Sequence, residues 1–164
     1  MYKYNLITMK RTDFYFCLIV VALFAPFVLS PNLYAGYQSF NAEHGMVMSF
    51  LKFAVLSTLG ELLGLRISTG QYLRKGFGVL PRAVVWGVLG MGINLAFIVF
   101  STGVPAAAGY LGVDDPAAIM AGPVTLGKVL LAFAISVSLN SIFAPVFMTF
   151  HKITDTHILA TGGT

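Results

Sequence analysis

Apolar residues run along this chain in four long blocks separated by shorter polar stretches. The blocks cover Phe14–Leu29, Met46–Leu65, Ala83–Val104 and Val129–Phe150. Each is close to the roughly 20 residues that a helix needs to cross a bilayer. None alternates with a period of two, as a half-buried strand would. The pattern predicts an all-α, multi-pass transmembrane bundle of four helices, forming a single domain over residues 1–164. The first block holds 16 residues and is slightly short for a full span, which predicts local thinning of the bilayer around it. The same block, with its basic start, also fits a secretory leader. Pro31 directly after Ser30 and the large Leu33 before Ala35 make poor cleavage contexts, so a retained helix is the preferred reading.

The polar stretches differ systematically in charge. The start contains Lys3, Lys10 and Arg11, and the segment between the second and third blocks contains Arg66, Arg74, Lys75 and Arg82. Ser30–Gly45 and Pro105–Thr125 contain no Lys or Arg, and Lys152 follows the last block. Basic residues thus alternate strictly between ends, as four crossings demand. The positive-inside rule then predicts that both termini and the second loop are cytoplasmic or matrix-facing and that the other loops lie outside. Arg82 and Trp86 stand where interfacial anchors usually do.

Composition agrees. The chain is 57% hydrophobic and 10% charged, with mean hydropathy +0.84, too little polar surface for a water-soluble domain of this size. The net charge of +4 is scattered rather than clustered, which argues for membrane lipids as partners and against nucleic acid. Cys17 is the only cysteine, so no intramolecular disulfide forms, and it reads as a small hydrophobe. No nucleophile–base, redox or metal-ligand constellation stands out. His151, Asp155 and His157 match no strong ligand spacing and read as a solvated interfacial end. The expectation is a non-enzyme with no cofactor.

A few polar and small residues inside the apolar blocks are the candidates for function. Lys52 and Glu61 lie nine residues apart, about 900° of helical rotation, so one straight helix cannot pair them. Lys52 is placed to snorkel toward the outer end. Glu61 has two readings: pairing with Arg66, Arg74 or Arg82, or facing a polar cavity in the bundle. Gly60 and Gly64 flank it as a small-xxx-small pair that permits close helix approach. Ala83, Gly87, Gly90 and Asn94 form a stripe suited to helix packing, or alternatively to a pore lining. Ser136, Asn140 and Ala144 share a face of the last helix, and Pro145 should kink it. A contact between Asn94 and Asn140 is conceivable on adjacent helices. The pore or polar-cavity candidates are therefore Glu61, Asn94, Asn140, Ser136 and Lys52, and the packing and kink positions are Gly60, Gly64, Gly87, Gly90 and Pro145. The segment Tyr34–Phe40 reads as an aromatic loop lying in the interface.

Two segments resemble a known family. Phe143-Ala144-Pro145-Val146-Phe147, within Leu126–Phe150, and Leu56-Ser57-Thr58-Leu59-Gly60-Glu61 are similar to motifs of the Mpv17/PMP22 family of small integral membrane proteins. The resemblance spans about Phe50–His151. Glu61 stands where the family usually has Asp, a Gly-Pro of the family's third-helix region is missing, and so are its C-terminal Trp-Pro and Asn-Phe signatures. The chain ends at Leu159–Thr164 as a loop in mid-course, which reads either as a relative lacking the C-terminal part or as a chain to which a further segment belongs. The resemblance implies a helical bundle of the inner or an organellar membrane, permeable to small solutes or ions, without established enzymatic activity. Gly60, Glu61 and Pro145 match the motifs, and Glu61 becomes the polar group of a pore or gate. The alternative is a non-catalytic accessory or scaffold subunit, with a homo-oligomer or a larger membrane complex as the working form.

Overall fold

The computed structural model describes residues 9–164, so Lys3 lies outside the described residues. The chain forms α1 (Arg11–Leu29), α2 (Pro31–Glu43), α3 (Gly45–Thr69), α4 (Val79–Tyr110), α5 (Pro116–Ala121), α6 (Leu126–Ser138) and α7 (Ala144–Ala160). There is no strand among the described residues. A π-helical turn, Leu139–Phe143, joins α6 to α7. Four continuous helical stretches are long and apolar enough to cross a membrane: 11–29, 45–69, 79–110 and 126–160. The fold is an all-α membrane-spanning bundle.

Each span extends beyond its apolar block. Hydropathy marks the part of a helix compatible with lipid, whereas backbone hydrogen bonding continues to a real stop signal. For α3 that stop is Gly70, left-handed at φ 78°, whose N–H closes on the Arg66 carbonyl. The segment read as an interfacial loop is instead the helix α2. Ser30 caps it by accepting from the Leu33 N–H at 3.3 Å, and Pro31 occupies the first turn.

Pro26 and Pro105 stay inside α1 and α4. Ahead of Pro145 the helix changes to π geometry over 139–143. A proline cannot donate to the carbonyl four residues back, and the wider turn relieves the resulting mismatch.

Packing centres on the antiparallel pair α3 and α4, and α6 and α7 lie against α4. Gly87 and Gly90 make this possible. A Cβ at Gly87 would sit 2.4 Å from the Phe50 ring, and one at Gly90 would sit 2.5 Å from Phe53. The two glycines are sockets for two rings, so this stripe is a packing seam. Gly60 and Gly64 behave differently: both are exposed and a Cβ there meets nothing within 4 Å, so no helix of this chain uses that approach face. Gly90→Ala is expected to lower bundle stability by about 1–3 kcal/mol through overpacking. Gly60→Ala should be neutral or stabilising by up to about 1 kcal/mol through helix propensity. Thermal denaturation in detergent checks both, and equal effects at the two sites would remove the socket explanation.

Among the described residues none of the large side chains is fully buried, and large apolar residues such as Val28, Leu80, Leu126 and Val146 face outward. In water that surface would be untenable. In lipid it is the expected exterior.

Candidate functional site: a charge cluster inside the helix ends

Glu61 is the centre of the most connected polar cluster. It stands eight residues before the end of α3, about 12 Å inside it at 1.5 Å per residue. Its carboxylate forms an ion pair with Arg82 of α4. Its Oε1 accepts from Trp86 Nε1 at 2.7 Å and lies 3.0 Å from His151 Nε2 of α7. Arg82 in turn pairs with Asp155, donates from Nε to the Phe77 carbonyl at 2.7 Å, and places its guanidinium 4.2 Å from the centroid of the Phe77 ring. Trp86 and His151 pack together with ring centroids 4.4 Å apart.

The geometry follows from helical spacing. Arg82 and Trp86 are four apart on α4, and His151 and Asp155 are four apart on α7, so each pair occupies one face. Two carboxylates, one guanidinium, one indole and one imidazole thus lock α3, α4 and α7 together. The Arg82 side chain is only 7% exposed, which a charge tolerates only with partners of this kind. Of the candidate partners for Glu61, the structure selects Arg82, not Arg66 or Arg74. His151 and Asp155, read as a solvated end, are largely buried members of this cluster, because α7 continues past Phe150 and turns them onto α3 and α4. Trp86, read as a lipid-interface anchor, spends its N–H on Glu61.

A second clamp lies at the same end. Arg66 grips Asp13 of α1 with two donors, Nε to Oδ1 at 2.7 Å and Nη2 to Oδ2 at 2.6 Å. Asp13 also accepts from the Lys10 N–H at 2.7 Å, and Lys10 Nζ donates to the Gly70 carbonyl at 2.8 Å. Tyr72 stacks on Phe16 with ring centroids 4.6 Å apart. Partial burial pushes the Tyr72 phenol up, and the Asp13 carboxylate adds to the shift. The pairs Asp13–Arg66 and Arg82–Asp155 put the start of α1, the 70–78 loop and the end of α7 at one end of the bundle, where Arg66 and Arg82 stand.

The remaining candidates do not join Glu61. Lys52 donates to Asn41 Oδ1 of α2 at 2.7 Å, at the other end of α3. Asn94 directs Nδ2 to Met46 Sδ at 3.4 Å. Asn140 is exposed and donates to the Ser136 carbonyl at 2.8 Å on its own helix, with Ser136 exposed beside it. Asn94 and Asn140 make no bond to each other, because each finds a nearer acceptor. No group of three His, Cys, Asp or Glu is arranged to hold a metal among the described residues.

No family model, no characterised protein and no solved structure matches the chain significantly.

Proposed function

We propose that the protein is a non-catalytic subunit of an oligomeric inner-membrane assembly, similar in kind to the Mpv17/PMP22 proteins, through which small solutes or ions pass between copies. The end carrying Arg66 and Arg82 faces the cytoplasm in this reading, because it gathers the basic loops. One observation carries the proposal: Ser136 and Asn140 are exposed on the outer surface of the last span, where lipid is a poor partner for an amide and a hydroxyl. Placed against the same face of another copy, they become buried polar groups lining a seam. The π-turn at 139–143 widens the backbone at that level.

Planar-bilayer recording of the purified full-length protein tests it. The expected result is conductance that Asn140→Leu removes for the most part, with an unchanged melting midpoint. Conductance unaffected by Asn140→Leu would move the path elsewhere.

A second reading is favoured by the state of Glu61. Its carboxylate is committed to Arg82, Trp86 and His151, which is the behaviour of a structural clamp rather than a gate. A scaffold subunit needs only that clamp and an association face. It predicts a silent bilayer and co-purification with a larger membrane complex.

A further inference from the structure

A partly open cleft of about 350 Å³ separates α1 from α3 under the cover of α2. Its walls include Leu23 and Phe27 of α1, Tyr37 of α2, and Leu51 and Val55 of α3. Among the helices, α1 approaches only α2 at the level of the backbone, so α1 and α3 stand apart along the cleft. At the opposite end of α1, the Asp13–Arg66 clamp ties the same two helices together.

One ionised group lines the cleft. Lys52 enters it from α3, and a lysine on a helix leans toward the helix N-terminus, here toward α2. Its ammonium meets Asn41, a neutral acceptor, and no carboxylate lies within ion-pair distance of it among the described residues. Half-buried Lys128 likewise meets a neutral oxygen, the Gly122 carbonyl, but only Lys52 among the charged residues holds its partner at the edge of this apolar trough. The missing complement is an anion attached to an apolar chain. The lining residues of α3 run from Met48 to Leu56, about 12 Å along the axis, so the trough extends from the ammonium toward the middle of the span. Its volume lies near the lower end of the roughly 300–1,000 Å³ of small-molecule pockets, room for one chain rather than two.

We infer that the α1–α3 cleft binds a single-chain fatty carboxylate, with its head group on Lys52 and Asn41 and its chain between Leu23, Phe27 and Val55. The Asn41 amide supplies N–H donors to the second carboxylate oxygen once its carbonyl holds the ammonium. The site is independent of any path at Asn140, which lies on a different span.

Equilibrium dialysis of the full-length protein in maltoside micelles with radiolabelled hexadecanoate tests this, with hexadecanol as the uncharged match. Hexadecanoate is expected to saturate at one per chain and to bind about tenfold more tightly than hexadecanol, the size of a charge-assisted hydrogen bond. Lys52→Gln should bring hexadecanoate down to the hexadecanol level and leave hexadecanol unchanged, while Lys52→Arg retains the preference. Val55→Phe, which fills the trough, should weaken both ligands. Equal binding of the acid and the alcohol to the parent protein would overturn the proposal without any variant. So would hexadecanoate binding untouched by Lys52→Gln, or displacement of hexadecanoate by equimolar phosphatidylglycerol, which would identify a two-chain lipid as the occupant.

Discussion

Arg82→Ala is expected to destabilise the bundle by about 3–5 kcal/mol, the cost of removing one partner from a buried ion-pair network. The guanidinium pairs with both Glu61 and Asp155, and it also satisfies the Phe77 carbonyl. Its removal leaves two carboxylates, on α3 and α7, without their shared counter-charge in a site that water enters poorly. Arg82→Lys should recover only part of the loss, because one ammonium cannot reproduce a planar fork that reaches two carboxylates and a carbonyl together. The thermal midpoint of the detergent-purified protein measures this. Restoring neutrality should help: adding Glu61→Gln and Asp155→Asn to Arg82→Ala is expected to regain stability relative to Arg82→Ala alone, a coupling that a multiple-mutant cycle isolates. An Arg82→Ala midpoint indistinguishable from the parent would mean that packing at Gly87 and Gly90, not the charge cluster, holds α3 and α4 together.

The parts of this fold that are legible in the sequence are those governed by one-dimensional signals. Four apolar blocks locate four spans, because lipid imposes the same requirement on every residue of a crossing. The alternation of basic loops groups Arg66 and Arg82 at one end, where the ion pairs put them. Which arginine Glu61 takes is a different kind of fact. It depends on the rotation of α3 against α4, set by Phe50 and Phe53 entering the sockets at Gly87 and Gly90. The roles of His151 and Asp155 were hidden because hydropathy falls after Phe150, which resembles an exit from the membrane. The four-residue spacing of the pair on a continuing helix was the available signal. Asp13 was masked by the basic residues around it, and α2 by its mixed aromatic and polar composition, although Ser30-Pro31 is a helix-start signature. Gly60 and Gly64 are a different case: the small-xxx-small pair is present, and among the described residues nothing packs on it.

Asp13→Ala should have a local effect of about 3–5 kcal/mol on the docking of α1 rather than on the bundle as a whole. The Arg66 side chain is 5% exposed and loses the carboxylate that both of its donors grip. The backbone of α1 approaches no helix other than α2 closely, so α1 is held at this end mainly by Asp13, the Lys10–Gly70 contact and the Phe16–Tyr72 stack. Cutting the strongest of these frees the end of α1 while α3, α4, α6 and α7 keep their contacts. Cys17, exposed on α1, is a natural attachment point for a spin label, with a second label at Leu73→Cys in the 70–78 loop. Asp13→Ala is expected to broaden and lengthen the distance distribution between them, with a smaller fall in the thermal midpoint than Arg82→Ala produces. Asp13→Glu should restore part of the order, since a longer carboxylate still reaches the guanidinium. The same displacement moves one wall of the α1–α3 cleft, so hexadecanoate binding should weaken in Asp13→Ala although Lys52 and Asn41 are untouched. An unchanged distance distribution would show that α2 alone fixes α1, and that the two ends of the cleft are mechanically separate.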